Sequence, residues 1–177
     1  MKKSFPSPTP EFFMAEALRH AQRALAAGEF PVGCVLVSEG QVVATGAREG
    51  TVASKSNETD HAEIVALRRL NLLDPAPDPE GITAFCTLEP CLMCFGALLI
   101  AGIHRIVYAY EDAMGGGTRC DLLSLPPLYR NAEVIITPHM LRARSLALLK
   151  RFFAAPGNRY LSGSLLATYT LSQPNET

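Results

Sequence analysis

Apolar residues recur at helical spacing in some stretches of this chain and crowd into strand-length runs in others, and the two kinds alternate. Met14, Leu18, Ala21 and Leu25 fall on one face of a segment that opens with Thr9 and Pro10 and stops at Gly28. A capping residue followed by proline, with glycine at the far end, predicts a first amphipathic helix. The runs PVGCVLV and QVVATGA, separated by SEG, predict a hairpin with Gly40 in its turn. A polar loop is expected from Arg48 to Thr59. Asp60 or Thr59 then caps a second helix, HAEIVALRRLN, with Ile64, Leu67 and Leu70 inward and Arg68 and Arg69 at its negative end. ITAFCTL reads as a third strand, and CLMCFGALLIA, apolar on every side, as a buried helix. HRIVYAY and EVIITP supply a fourth and fifth strand. Thr137 and Pro138 repeat the opening signal of the first helix and predict a last one through HMLRARSLALLKRFF.

This alternation predicts a three-layer α/β/α sandwich about a central five-stranded sheet. At 177 residues, 48% of them hydrophobic, the chain suits one domain, residues 1–177, with a core over 9–153. Residues 154–177 form a C-terminal extension expected as an added strand, a short helix or a loose end. Sixteen Lys plus Arg against seventeen Asp plus Glu leave no global positive field to draw the protein to nucleic acid. The longest apolar run, LMCFGALLIAGI, falls short of the roughly twenty residues of a membrane span, so no membrane partner is expected. Pro6, Pro8, Pro10, Glu11 and Glu16 interrupt what would have to be a signal core. Five cysteines, an odd number, argue for reduced thiols and a cytoplasmic location, with Cys34 and Cys86 as core residues.

Candidate chemistry lies in HAE and PCLMC. Imidazole nitrogen and thiolate sulfur are natural Zn²⁺ ligands, and three protein ligands with an open fourth position mark a catalytic site. His61, Cys91 and Cys94 supply three. Cys91 and Cys94 share a face of one helical turn just after Pro90, where free N–H groups and the helix dipole favour thiolate. Glu63, one residue removed from His61, is rotated by about 200° on a regular helix and so is left free to move protons.

The combined motif resembles the zinc signature of the cytidine deaminase-like superfamily. GEFPVGCVLV, HAEIVALRRL, TLEPCLMCFGALL and IHRIVYAYEDA are similar to bacterial tRNA adenosine deaminases and their guanine deaminase relatives, over roughly Phe12 to Phe153. The resemblance implies a cytidine deaminase-like fold with a five-stranded mixed sheet. It makes His61, Cys91 and Cys94 the zinc ligands and Glu63 the catalytic proton shuttle. The same resemblance implies that Val32 and Ala62 line the base pocket and that the backbone N–H of Cys91 helps hold the attacked ring. Together with the helix after Cys91, it implies a homodimer.

Two departures shape the expected substrate. Arg48 in GAREG occupies the position of an Asn that binds the target base in the tRNA enzymes, and it donates hydrogen bonds without accepting them, favouring a carbonyl or phosphate oxygen. Asn57 is a candidate substitute amide. The extension past Phe153 is mostly neutral where the tRNA enzymes end in basic residues, and fewer phosphate contacts mean weaker RNA binding. The expected activity is therefore hydrolytic, zinc-dependent deamination of a small nucleobase, nucleoside or related amino-heterocycle, with Val32, Arg48, Ala62 and Cys91 against the substrate. A tRNA adenosine deaminase is the runner-up. A non-catalytic zinc-stabilised module, closed by a fourth ligand among Cys34, Cys86, Cys120, His20, His104 and His139, is the third reading. MGGGTR lacks the ending of a phosphate loop and is expected as a flexible rim. Arg142, Arg144, Lys150 and Arg151 are expected to form a solvated helix face.

Overall fold

Strand register organises the molecule. In a computed structural model describing residues 8–51 and 57–175, β1 (Gly33–Ser38) and β2 (Gln41–Ala47) form the expected antiparallel hairpin. Glu39 and Gly40 have φ of 50° and 73°, the left-handed pair that a tight two-residue turn requires. β1 also pairs antiparallel with β3 (Ile82–Leu88), which runs parallel to β4 (Arg105–Tyr110). β4 in turn runs parallel to the edge strand β5 (Ile135–Thr137). The sheet is thus mixed, five-stranded and ordered β2-β1-β3-β4-β5.

The helices are α1 (Pro10–Ala26), α2 (Ala62–Leu70), α3 (Leu92–Ile100), a single turn α4 (Pro127–Arg130), α5 (Arg142–Phe153) and α6 (Leu165–Ser172). Successive strand residues point to opposite faces. Val35, Val37, Phe85, Val107 and Ala109 pack with Met14 and Leu18 of α1 and Leu148 of α5. Cys34, Leu36, Ala84, Cys86 and Ile106 pack with Ala66 and Leu70 of α2 and Leu98 of α3. These two cores give the three layers. Among the described residues no helix is long and apolar enough to cross a membrane.

Four local readings need correction. His61 itself is the N-cap of α2, and the Asp60 carboxylate instead binds Arg68 and the Asn57 amide. α3 is not buried on all sides: Leu92, Met93 and Ile100 are 62%, 39% and 63% exposed, because only one flank of the helix meets the sheet. α5 begins at Arg142 rather than after Pro138, since the Met140 N–H bonds the Tyr108 carbonyl and Leu141 takes a left-handed conformation before the helix starts. Arg142 and Lys150 are not purely solvated: Arg142 binds Glu111, and Lys150 binds the Gln173 carbonyl and Asn175. The extension resolves into α6, whose Ser164 hydroxyl accepts from the Ala167 N–H at 3.1 Å. Residues 52–56 of the expected polar loop, and both chain ends, lie outside the described residues.

Gly46 sets where α2 sits. A Cβ there would lie 1.9 Å from the Ala62 carbonyl oxygen and 2.7 Å from the Ala66 nitrogen, so β2 and the first turn of α2 touch backbone to backbone. Gly46→Ala is therefore expected to destabilise the fold by about 1–3 kcal/mol, the usual cost of overpacking. A urea midpoint unchanged from wild type would refute this contact as a positioning constraint.

Candidate active site and metal centre

Two helix starts build the site. His61 and Cys91 are the N-caps of α2 and α3, both with extended backbone (ψ 155° and 170°), and neither side chain is used as a cap. Each is therefore free to face the other helix. The His61 Nδ1 lies 3.4 Å from the Cys91 Sγ and 3.5 Å from the Cys94 Sγ. Tetrahedral zinc with ordinary Zn–S and Zn–N bonds spaces a sulfur and a nitrogen roughly 3.5 Å apart, so the donor set fits that ion. Among the described residues no fourth His, Cys, Asp or Glu joins these three, which leaves the arrangement of an open rather than a closed site.

The electrostatics agree with a site built for a cation. The Cys91 thiol is lowered to about 4, chiefly by the hydrogen bond from Cys94 and, against burial, by His61. Cys94 is pushed up by donating that bond and by burial. His61 is raised by its bond to Cys91, which outweighs burial. Two sulfurs and an imidazole thus share protons at a place where one divalent ion satisfies all three. Glu63, only 3% exposed, is raised above the usual carboxylate range, first by burial and then by the charge of Cys91.

A cavity of about 240 Å³ opens beside these groups. Val32, Arg48, His61, Ala62, Glu63 and Cys91 all line it, while Cys94 sits behind the wall, fully buried. Sequence reasoning missed Glu58, Glu89, Asp112 and Tyr160, which line it too. Glu89 and Asp112 stand inside the stretches TLEPC and YEDA, whereas Tyr160 carried no local signal. Asn57 does not line the cavity; its side chain holds Asp60 and Thr59. The MGGGTR loop borders the cavity through Met114 and Gly115 and is held there by close backbone contacts. The Gly117 N–H bonds the Pro90 carbonyl at 2.8 Å, and a Cβ at Gly116 would fall 2.5 Å from the Glu89 carboxyl. Its glycines permit close approach.

Arg48 is 3% exposed. It donates to the Asn57 carbonyl at 2.8 Å, to Glu58 Oε2 at 3.0 Å and to the Tyr160 hydroxyl at 3.3 Å. Its Nε has no partner among the described residues. A buried donor left unpaired costs about 1–3 kcal/mol. Tyr160 also packs on Phe30, with ring centres 5.5 Å apart, and so fastens the C-terminal segment over the cavity. Leu161 and Leu166 of the same segment complete that wall. A second fastening lies further along, where the Tyr169 hydroxyl donates to Glu111 at 2.8 Å and Arg142 binds both Glu111 and Gln173.

Residues 7–110 match the cytidine and deoxycytidylate deaminase zinc-binding region. A tRNA-specific adenosine deaminase of Streptococcus pyogenes is 32% identical over 145 residues, 80% of this chain and 88% of that protein. One from Aquifex aeolicus is 37% identical over 111 residues, 60% of this chain and 70% of its own. A solved structure from work on tRNA:A34 deaminases superposes with a TM-score of 0.59 at 32% identity, covering 71% of this chain and 95% of that one. A guanine deaminase from Nitrosomonas europaea shares the fold, with a TM-score of 0.64 at 23% identity, over 83% of this chain and 86% of that one.

The second fastening carries a pH signature. Burial would raise the Glu111 carboxyl, but the hydrogen bonds from Arg142 and Tyr169 and the Arg142 charge lower it to about 2. A carboxyl depressed in the folded state contributes stability above its ordinary value of 4.5 and loses it as pH falls toward about 2. The difference in urea midpoint between wild type and Glu111→Gln is expected to be largest near neutrality and to shrink below about pH 4.5. A difference independent of pH would show that the ion pair does not couple to folding.

Proposed function

The chain belongs to the cytidine and deoxycytidylate deaminase zinc-binding family, and from that premise we propose that it deaminates a small nucleobase, nucleoside or related amino-heterocycle. It is a zinc-dependent hydrolase acting on a carbon–nitrogen bond. The observation that carries the reading is the three-ligand group beside a buried carboxyl, facing a cavity of about 240 Å³. His61, Cys91 and Cys94 hold the metal in this reading. Bound zinc supplies Lewis-acid activation of water at neutral pH. Glu63 takes the proton of the attacking water and returns protons to the ring nitrogen and the leaving amine. The water oxygen bonds the amino-bearing carbon, the carbon–nitrogen bond breaks, ammonia departs and a carbonyl remains. Val32 and Ala62 flank the ring, and the Cys91 N–H at the start of α3 stabilises the charge that develops on it.

The preference for a small substrate rests on the C-terminal segment. Tyr160, Leu161 and Leu166 wall the cavity, whose volume falls below the roughly 300–1,000 Å³ of drug-sized sites. An RNA loop would have to displace them. The second reading, deamination of adenosine in tRNA, is supported by the relatives that share 32–37% identity and bear that activity in their names. A non-catalytic zinc module is disfavoured by the open donor set and the buried Glu63. We read the whole chain as one deaminase domain with the extension as part of its site, working in the cytoplasm, where its free cysteines stay reduced. A second copy is proposed to cover the exposed apolar flank of α3, making a homodimer.

Glu63→Gln is expected to retain stoichiometric zinc by elemental analysis while ammonia release falls by about 10²–10⁴-fold; full turnover in this variant would refute the assigned role. Cys94→Ala is expected to lose the metal. An ammonia-release screen of the zinc-loaded protein against free bases, nucleosides and tRNA should find activity on small substrates, and activity on tRNA alone would establish the second reading instead. Ile100→Glu is expected to halve the sedimenting mass if α3 forms the dimer face, and a monomeric wild type would rule that face out.

A further inference from the structure

A second and larger cavity, about 490 Å³, adjoins the first through a shared wall, the buried Glu89. The same two elements frame both. The MGGGTR loop gives Met114 and Gly115 to the first cavity and Arg119 to the second, and α6 gives Leu166 to the first and Tyr169 to the second. The volume lies within the roughly 300–1,000 Å³ of small-molecule sites.

Its acidic groups are already engaged. Glu111 accepts from the Arg142 Nε and from the Tyr169 hydroxyl, both at 2.8 Å, and Glu89 accepts from the Asp112 N–H at 3.1 Å and from Thr118 at 2.5 Å. Its basic groups are not. Arg119 is exposed and has no ion pair among the described residues. His139, 52% exposed, turns Nδ1 toward Glu111 at 3.4 Å, which leaves Nε2 as the nitrogen open to the cavity. Its backbone is left-handed, with φ of 66°, and the Met140 N–H bond to the Tyr108 carbonyl anchors the next residue. A left-handed residue other than glycine is uncommon, and here it holds the imidazole edge-on to Tyr108, ring centres 5.9 Å apart.

These uncommitted groups select an anion. Among the described residues no third metal-ligating group joins Glu111 and His139, and Arg119 repels an organic cation. A guanidinium fork and one imidazole N–H present three donors, which match the three terminal oxygens of a phosphate monoester, whereas a carboxylate has two. The partly exposed Tyr169 ring offers an apolar face to whatever the phosphate carries.

We propose that this cavity is a second binding site, taking a small phosphate monoester on Arg119 and the His139 Nε2. When filled, it ties the MGGGTR loop to the segment between β5 and α5, and so braces the wall that the loop gives the first cavity. The site goes beyond the deaminase reading and does not depend on it.

The test uses full-length, zinc-loaded protein in phosphate-free buffer at constant ionic strength, with calorimetry of inorganic phosphate, ribose 5-phosphate and adenosine 5′-monophosphate against ribose and adenosine. At least one ester is expected to bind about tenfold more tightly than its unphosphorylated counterpart. Inorganic phosphate binding as tightly as the esters identifies the free ion as what is recognised; tighter esters identify an organic phosphate. Arg119→Met should abolish the preference, and His139→Asn, which tolerates the left-handed backbone, should weaken it several-fold. Amide exchange over residues 114–119 is expected to slow on binding in the wild type and to stay unchanged in Arg119→Met. The proposal is overturned if esters and their counterparts bind within about twofold, if the preference survives Arg119→Met, or if the loop gains no protection. Arg119-dependent binding of tRNA without binding of any monoester would overturn it too, making the patch an RNA contact. None of these results bears on the deaminase reading, which stands or falls on ammonia release.

Discussion

The contact on which everything else rests is that of one imidazole with two sulfurs, Nδ1 to Sγ distances of 3.4 and 3.5 Å, across the starts of two neighbouring helices. Thirty residues separate His61 from Cys91. What closes that distance is backbone packing: β2 touches α2 at Gly46, and β3 delivers Cys91 directly from its end through Glu89 and Pro90. An N-cap position suits a ligand well, because its backbone is still extended and its side chain can turn away from the helix axis. Two such positions set side by side bring the imidazole and both sulfurs within reach of one ion.

Around that centre the protein concentrates buried charge. Glu63, Glu89 and Asp112 are each under 10% exposed, and Arg48 joins them at 3%. Buried carboxyls are costly unless they are hydrogen-bonded or paired. Asp112 answers that cost with the N–H groups of Met114 and Gly115, and Glu89 with the Asp112 N–H and the Thr118 hydroxyl, so the glycine loop serves as a brace for the acids. Glu63 stands beside the thiols, and burial holds its carboxyl above the usual range. The C-terminal segment adds a final wall to the cavity, fastened at Tyr160 and again at Tyr169.

Much of this was legible from local pattern. The third strand, ITAFCTL, matches β3 residue for residue, because a run of β-branched and aromatic residues bounded by Gly81 and by Pro90 has few other ways to fold. The hairpin turn at Gly40 was legible for a similar reason. The start of α5 was not: a Thr-Pro signal at Thr137 and Pro138 was overridden by the Met140 hydrogen bond to β4 and by the burial of Leu146 and Leu149, both tertiary effects. α3 looked buried on all sides because composition reports hydrophobicity and not which flank the sheet covers.

By itself, the sequence determined the candidate ligands, since ligand chemistry is a property of residue type: imidazole and two thiols at one-turn spacing point to zinc before any fold is known, and the resemblance of HAE and PCLMC to the deaminase signature supplies the reaction class. Only the tertiary structure decided what lines the cavity. That Arg48 is held by Tyr160, more than a hundred residues away, and that Asn57 turns from the cavity toward Asp60, follow from packing between segments remote along the chain. Local pattern carries no record of such contacts, because each depends on where a loop and a terminal helix come to rest against a finished sheet.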